Sequence, residues 1–315
     1  MPISGTLRRD YQLNPFYTKT LTIRGVVIVG SDKVSDWAFL EAAYTLDHQC
    51  ANSPAWLMDG FAATHAYLSI MADVEYTMDL PENQRPDMLA RSAYNDRRSR
   101  GLGNMGWCSS GEENLLNLTG DPYGGGNRQS GGENITIHEF SHAIACTIGS
   151  VQSGRGRTGG PFWAGLRQAF ADANQPTGRL GMWNAQHSEK VYASSNEQEF
   201  WAEGAQAWFD NANPNNTGGL STRADVKTKD PELAALLRQV LGDGPWRYIK
   251  TTARKRDGTP LRPPEEFAHL TGLDALRPQF PVFNYNNSPR IRAEARAPAS
   301  ASAPAGGGSE PGSRP

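Results

Sequence analysis

His138-Glu139-Phe140-Ser141-His142 is the stretch of this chain with the most chemistry in it. On a helix, residues i and i+4 lie one above the other on one face. Two imidazoles so spaced can bind one metal ion, and the intervening glutamate faces the same site. The flanks predict a buried helix, because Ile135, Ile137, Phe140, Ala143, Ile144, Ala145 and Ile148 are all apolar. Two imidazoles and a carboxylate in such a helix are costly unless they are paired or ligated. The bland alternative is two satisfied helix histidines beside a surface glutamate.

A catalytic zinc usually takes three protein ligands and leaves a fourth position for water. A site of the form H-E-x-x-H-x-x-G-x-x-H needs glycine at 145 and histidine at 148. The chain has Ala145 and Ile148, which excludes that class. A His-plus-Glu site needs a glutamate on a second helix downstream, and none occurs between Glu139 and Glu189. The candidates are Glu189, Glu197, Glu199 and Glu203, with Asp172 and His187 as outsiders. Ser195 to Phe209 predicts a second core helix that opens with capping residues and is rich in aromatics. Glu199 and Glu203 share one face of it, and Glu197 does not. That spacing points one carboxylate at the metal and the other at a ligand histidine. Glu199 also has a competing role. With Asn196 as N-cap it stands at N3, the place of a capping-box acid; with Ser195 as N-cap, Gln198 takes that place.

The stretch from Tyr192 to Glu203 resembles the matching region of the anthrax lethal factor protease domain. There a tyrosine stands seven residues before a glutamate that is followed by two aromatics, Ala and Glu. Here Tyr192 stands seven before Glu199, and Phe200, Trp201, Ala202 and Glu203 follow. The resemblance implies Glu199 as third zinc ligand, Tyr192 as the phenol that polarises a scissile carbonyl, and Glu203 as an acid behind the ligands.

A wider stretch, about residues 20–250, resembles a widespread family of zinc metallopeptidases of unsettled function. Its marks are Lys33-Val34-Ser35-Asp36, Arg100-Gly101-Leu102-Gly103, Gly111 to Leu116, Gly120-Asp121-Pro122-Tyr123 and Glu133-Asn134-Ile135 running into His138. Glu199 to Phe209, Thr222 to Asp225 and Asp230 to Leu233 complete them. They are silent on substrate. Gly124 to Gly132 is longer and richer in glycine than that family's usual link.

Bulk properties set the frame. At 315 residues, 38% hydrophobic and 20% charged, the chain reads as a soluble globular protein of one large domain or two small ones. A formal net charge of -2 gives no electrostatic footprint for nucleic acid. No run of about 18 apolar residues predicts a membrane span, and Met1 to Gln12 has no apolar core of a signal peptide. The default expectation is therefore a cytoplasmic location. Three cysteines cannot all pair with one another; Cys50 and Cys108 are a conceivable pair, and Cys146 reads as a packing residue below the site.

The elements that must position these residues read as follows. Residues 21–29 predict a strand, 36–49 a helix capped by Ser35 or Asp36, 54–62 a short helix and 65–72 a strand. Residues 79–104 read mostly as loop, including the basic run Arg97-Arg98-Ser99-Arg100, taken as solvated. Trp107 to Leu118 reads as partly extended and is suggested as the edge along which substrate pairs, with Glu112 and Glu113 either touching substrate or solvated. Gly124 to Gly132 lacks the lysine of a phosphate loop and reads as a mobile rim. Helices are expected at 161–174 and from Asp230-Pro231 to about Leu241, closed by Gly242. His48, His65, His187 and His269 read as packing or surface residues, with His187 the one that could line the cleft.

The expected organisation is an N-terminal extension (1–20), an α/β (α+β) zincin-like catalytic domain (21–288) and a disordered Ala/Pro/Gly/Ser tail (289–315). Its mixed sheet packs on the H-E-x-x-H helix and a helical C-terminal lobe carries Glu199. The expected activity is zinc-dependent peptide hydrolysis of gluzincin type on a peptide or protein substrate. Zn²⁺ suits two imidazoles and a carboxylate with one open position. His138, His142 and Glu199 hold it, Glu139 moves the proton, Tyr192 donates to the oxyanion and Glu203 supports from behind. The alternatives are a zinc-stabilised protein that binds peptide or glycan without cutting it, and a zinc hydrolase of a non-peptide substrate.

Overall fold

A computed structural model describes residues 2–104, 106–124, 132–154, 156–187, 190–253 and 255–296. The branched run near residue 25 is a hairpin and not one strand. β1 (Lys19–Ile23) and β2 (Val26–Gly30) pair antiparallel across Arg24-Gly25. Both turn residues have positive φ, 48° and 80°, as a tight two-residue hairpin requires. β3 (Tyr67–Met71), β4 (Gly101–Asn104) and β5 (Trp107–Gly111) complete a five-stranded sheet in the order β1-β2-β3-β5-β4. β2, β3 and β5 run parallel, and the antiparallel pairs close both sides. The fold is thus mixed α/β, as expected.

The expected edge is corrected by one strand. β5 lies inside the sheet, and β4 is the edge. The composition of 79–104 concealed β4, together with the helix Ser92–Arg98. Gly101 and Gly103 were chosen for close packing and have poor strand propensity, so a propensity reading misses them.

The helix Ile135–Ser153 crosses the sheet over β4 and β5. Every residue from Ile135 to Gly149 is buried, as befits a helix that is apolar nearly all round. Asn134 caps it, its side chain accepting from the Thr136 and Ile137 amides, which stabilises by about 1 kcal/mol. Gly154 ends it in the left-handed region at φ 62°. A helical lobe packs on its far side, with Gly160–Ala173, Glu197–Trp208 and Pro231–Leu241. Trp163, Trp201 and Trp208 are fully buried there. Two of their indole N–H groups donate into the site helix, Trp201 to the Ser141 carbonyl and Trp163 to the Ala145 carbonyl.

Val26 and Ile28 point into this core, while Val27 and Val29 point to the opposite sheet face. There Leu13 and Tyr17 cover them, so part of residues 1–20 is a layer of the fold. At the other end, Pro289–Arg296 is a helix rather than tail. Arg290 pairs with Asp79 and Asp96, both at 2.7 Å, and Ile291 is buried. Residues 297–315, and 125–131 of the glycine-rich stretch expected to form a rim, lie outside the described residues. Among the described residues no helix is long and apolar enough to cross a membrane.

Candidate metal centre

His138, Glu139 and His142 are all buried, and one ligand atom from each lies within 4.8 Å of the others. They form a group that could hold a metal ion. The carboxylate of Glu199 reaches the same place from a helix sixty residues downstream. Its Oε2 stands 3.0 Å from Nε2 of His138 and 3.6 Å from Nε2 of His142. Donors of a tetrahedral zinc site, with bonds of about 2.0–2.1 Å, stand about 3.3–3.4 Å from one another, and the two distances from Glu199 lie on either side of that spacing.

The start of its helix places Glu199. Asn196 is the N-cap of Glu197–Trp208, its side chain accepting from the amides of Gln198 and Glu199. Glu199 is therefore at N3, the position of the competing capping reading. Its side chain nevertheless turns to the imidazoles. The electrostatics follow. Burial works against the charged form of Glu199, but the charge of His142 and the hydrogen bonds from both imidazoles hold its carboxyl well below the usual range. Burial likewise opposes protonation of His142, and the charge of Glu199 outweighs it and raises its pKa.

Behind the imidazoles stands a second layer. Nδ1 of His138 is 3.0 Å from Oε1 of Gln206 and 3.6 Å from Oε1 of Glu203. An N–H donated from Nδ1 to Gln206 fixes the orientation of the ring and aims Nε2 at Glu199 and the cavity. Gln206 was missed from the sequence, although it follows Glu203 by three and Glu199 by seven and so shares their helix face. Tyr192, on the short 3-10 turn Tyr192–Ser194, lines the cavity with the two histidines, Glu139 and Glu199, its ring centroid 6.3 Å from that of His138. Tyr123, read from sequence only as part of a family mark, and Arg98, expected in a solvated basic run, line it too.

β4 lies against this group because of its glycines. A Cβ on Gly101 would fall 2.8 Å from Cγ of Glu139, and one on Gly103 would fall 2.4 Å from the ring of His142. The edge strand thereby approaches the cavity with its backbone.

Other expectations are corrected. Glu112 and Glu113 neither face substrate nor sit in solvent; both are buried. Glu113 takes a two-pronged pair from Arg100 at 2.7 and 2.9 Å, and neither side chain is exposed. Arg100 is thus no part of a solvated basic run. Glu112 accepts the amides of Ser35 and Asp73, and burial pushes its carboxyl up to about 8. His187 stacks on Trp183 at 4.2 Å, away from the cavity. Glu197 does not line the cavity, Asp172 accepts from Gln168, and Glu189 lies outside the described residues. Cys50, Cys108 and Cys146 are buried free thiols.

No protein-family model matches the chain, and no curated protein matches it. Among solved structures it is similar to that of the Pro-Pro endopeptidase (PPEP-2) from Paenibacillus alvei, with 12% identity, a TM-score of 0.38, and coverage of 67% of this chain and 96% of that one. A likeness this slight transfers no property, and the family resemblance rests on its motifs alone.

Proposed function

We propose that this chain is a zinc-dependent metallopeptidase of gluzincin type, with His138, His142 and Glu199 as the metal ligands. The observation that carries the reading is the approach of Glu199 Oε2 to both Nε2 atoms, at 3.0 and 3.6 Å, beside a buried Glu139. A fold staple would need no carboxylate such as Glu139 at the open side of the cluster. When bound, Zn²⁺ supplies Lewis-acid polarisation of a carbonyl and makes water acidic enough to attack at neutral pH.

The chain's own residues do the rest. Glu139 takes the proton of the attacking water on a carboxylate oxygen and delivers it to the leaving amine. The Tyr192 hydroxyl donates to the carbonyl oxygen as negative charge develops there. Gln206 and Glu203 hold the His138 ring in its tautomer and orientation. A peptide substrate is favoured by β4. Its outer edge has no strand partner among the described residues, so an extended peptide can add to it beside the cavity.

Metal analysis of purified variants tests the ligand set. Glu199→Ala lowers zinc occupancy severely, whereas Glu197→Ala leaves it at the level of the unmodified protein. Equal occupancy in the two variants refutes the assignment.

A further inference from the structure

Three arginines lie within four residues on the approach to β4, and their environments differ. Arg97 pairs with Glu294 at 3.1 Å, and Arg100 is buried against Glu113. Arg98, the last residue of the helix Ser92–Arg98, is only partly buried and lines the cavity that holds His138, Glu139 and His142. Among the described residues no acidic side chain forms an ion pair with it. It lies three residues before Gly101, where the glycine edge strand begins.

We infer that Arg98 is a specificity residue that binds a carboxylate of the substrate as it lies along β4. This rests on the peptidase reading for the substrate's course and on the cavity itself for the charge. A guanidinium offers a planar fork of N–H donors that matches a carboxylate. A partly desolvated cavity strengthens that contact relative to open water. The carboxylate is either an Asp or Glu side chain within the substrate or its C-terminal group. The first makes the enzyme an endopeptidase with acidic preference, and the second makes it trim C-terminal ends.

Two measurements on the full-length zinc-loaded protein test this. The first compares kcat/KM for matched peptides: internal Glu against Gln with amidated ends, and free acid against amide on a neutral sequence. Unmodified protein prefers the acidic member of one pair by on the order of ten- to a hundredfold, and Arg98→Gln removes that preference. Arg98→Glu reverses it in favour of a Lys-bearing peptide. Absence of any charge preference in the unmodified protein overturns the inference. So does a preference that survives Arg98→Gln, or an equal fall for all peptides, which would mean that Arg98 only balances the charge of Glu139 and Glu199.

The second follows the arginine ¹⁵Nε signal of Arg98, assigned by its loss in Arg98→Gln, as small probes are added. N-acetylglutamate amide or N-acetylalanine shifts it, and N-acetylglutamine amide does not. No cleavage of any peptide together with this shift sinks the peptidase reading and keeps the carboxylate site. Cleavage without preference or shift does the reverse.

Discussion

At the scale of single residues, Glu139 and Glu199 are both glutamates of one cavity, and their neighbours separate their roles. Glu199 sits against two imidazoles that hold it ionised, as the proposed ligand role requires. Glu139 stands on the helix of the two histidines, buried, and lines the same cavity. Glu139→Gln is therefore expected to retain zinc and lower kcat by about 10²–10⁴-fold, the range for loss of a general base; normal turnover by this variant would refute the mechanism. Gln206 acts one bond further out. Replacing it with Leu leaves the Nδ1–H of His138 in search of another acceptor. Zinc affinity, measured by competition with a chromophoric chelator, should fall about 10–100-fold, while Glu199 still reaches the site.

At the scale of elements, the site depends on how closely an edge strand can lie on a helix. The two glycines of β4 carry no side chain that would hold the strand away from Glu139 and His142. Gly103→Ala places a methyl carbon 2.4 Å from the His142 ring, so the ring or the strand must move. The expected cost is about 1–3 kcal/mol of stability. Hydrolysis should drop by on the order of a hundredfold, because a displacement of about 1 Å at a reacting centre has that effect. Gly156→Ala is the matched control, since nothing stands within 4 Å of the added carbon. Thermal unfolding and peptide turnover on the two variants separate a local clash from a general effect of alanine.

At the scale of the whole molecule, buried carboxylates tie the sheet to its loops. Glu113 is held by Arg100, while Glu112 has only backbone amides and neighbouring acids. Its folded pKa of about 8 stands above the ordinary carboxylate value of 4.5. Between those two values the folded state binds more protons than the unfolded one, so stability falls as pH rises through the window. In chelator-treated protein, the melting temperature should decline from pH 5.5 to 8.5, and less steeply in Glu112→Gln. The raised pKa of His142 acts in the same direction but is common to both proteins, so the difference between their slopes reports Glu112. Identical slopes would show that Glu112 does not titrate in this range.

Residue spacing alone carried much of this. The i, i+4 histidines, the absence of glutamate from 140 to 188, and the shared face of Glu199 and Glu203 reduce the third ligand to a few positions. These are properties of one helix at a time, and helical periodicity is local. Tertiary structure decided what needs two elements at once. Only packing shows that the Glu199 carboxylate turns from its own helix start to the imidazoles, that Gln206 meets Nδ1 of His138, and that Arg98 lines the cavity while Arg97 and Arg100 are paired elsewhere. Glycines at 101 and 103 read as loop because propensity is a property of the chain alone. Their use is set by a helix that follows more than thirty residues later in the sequence.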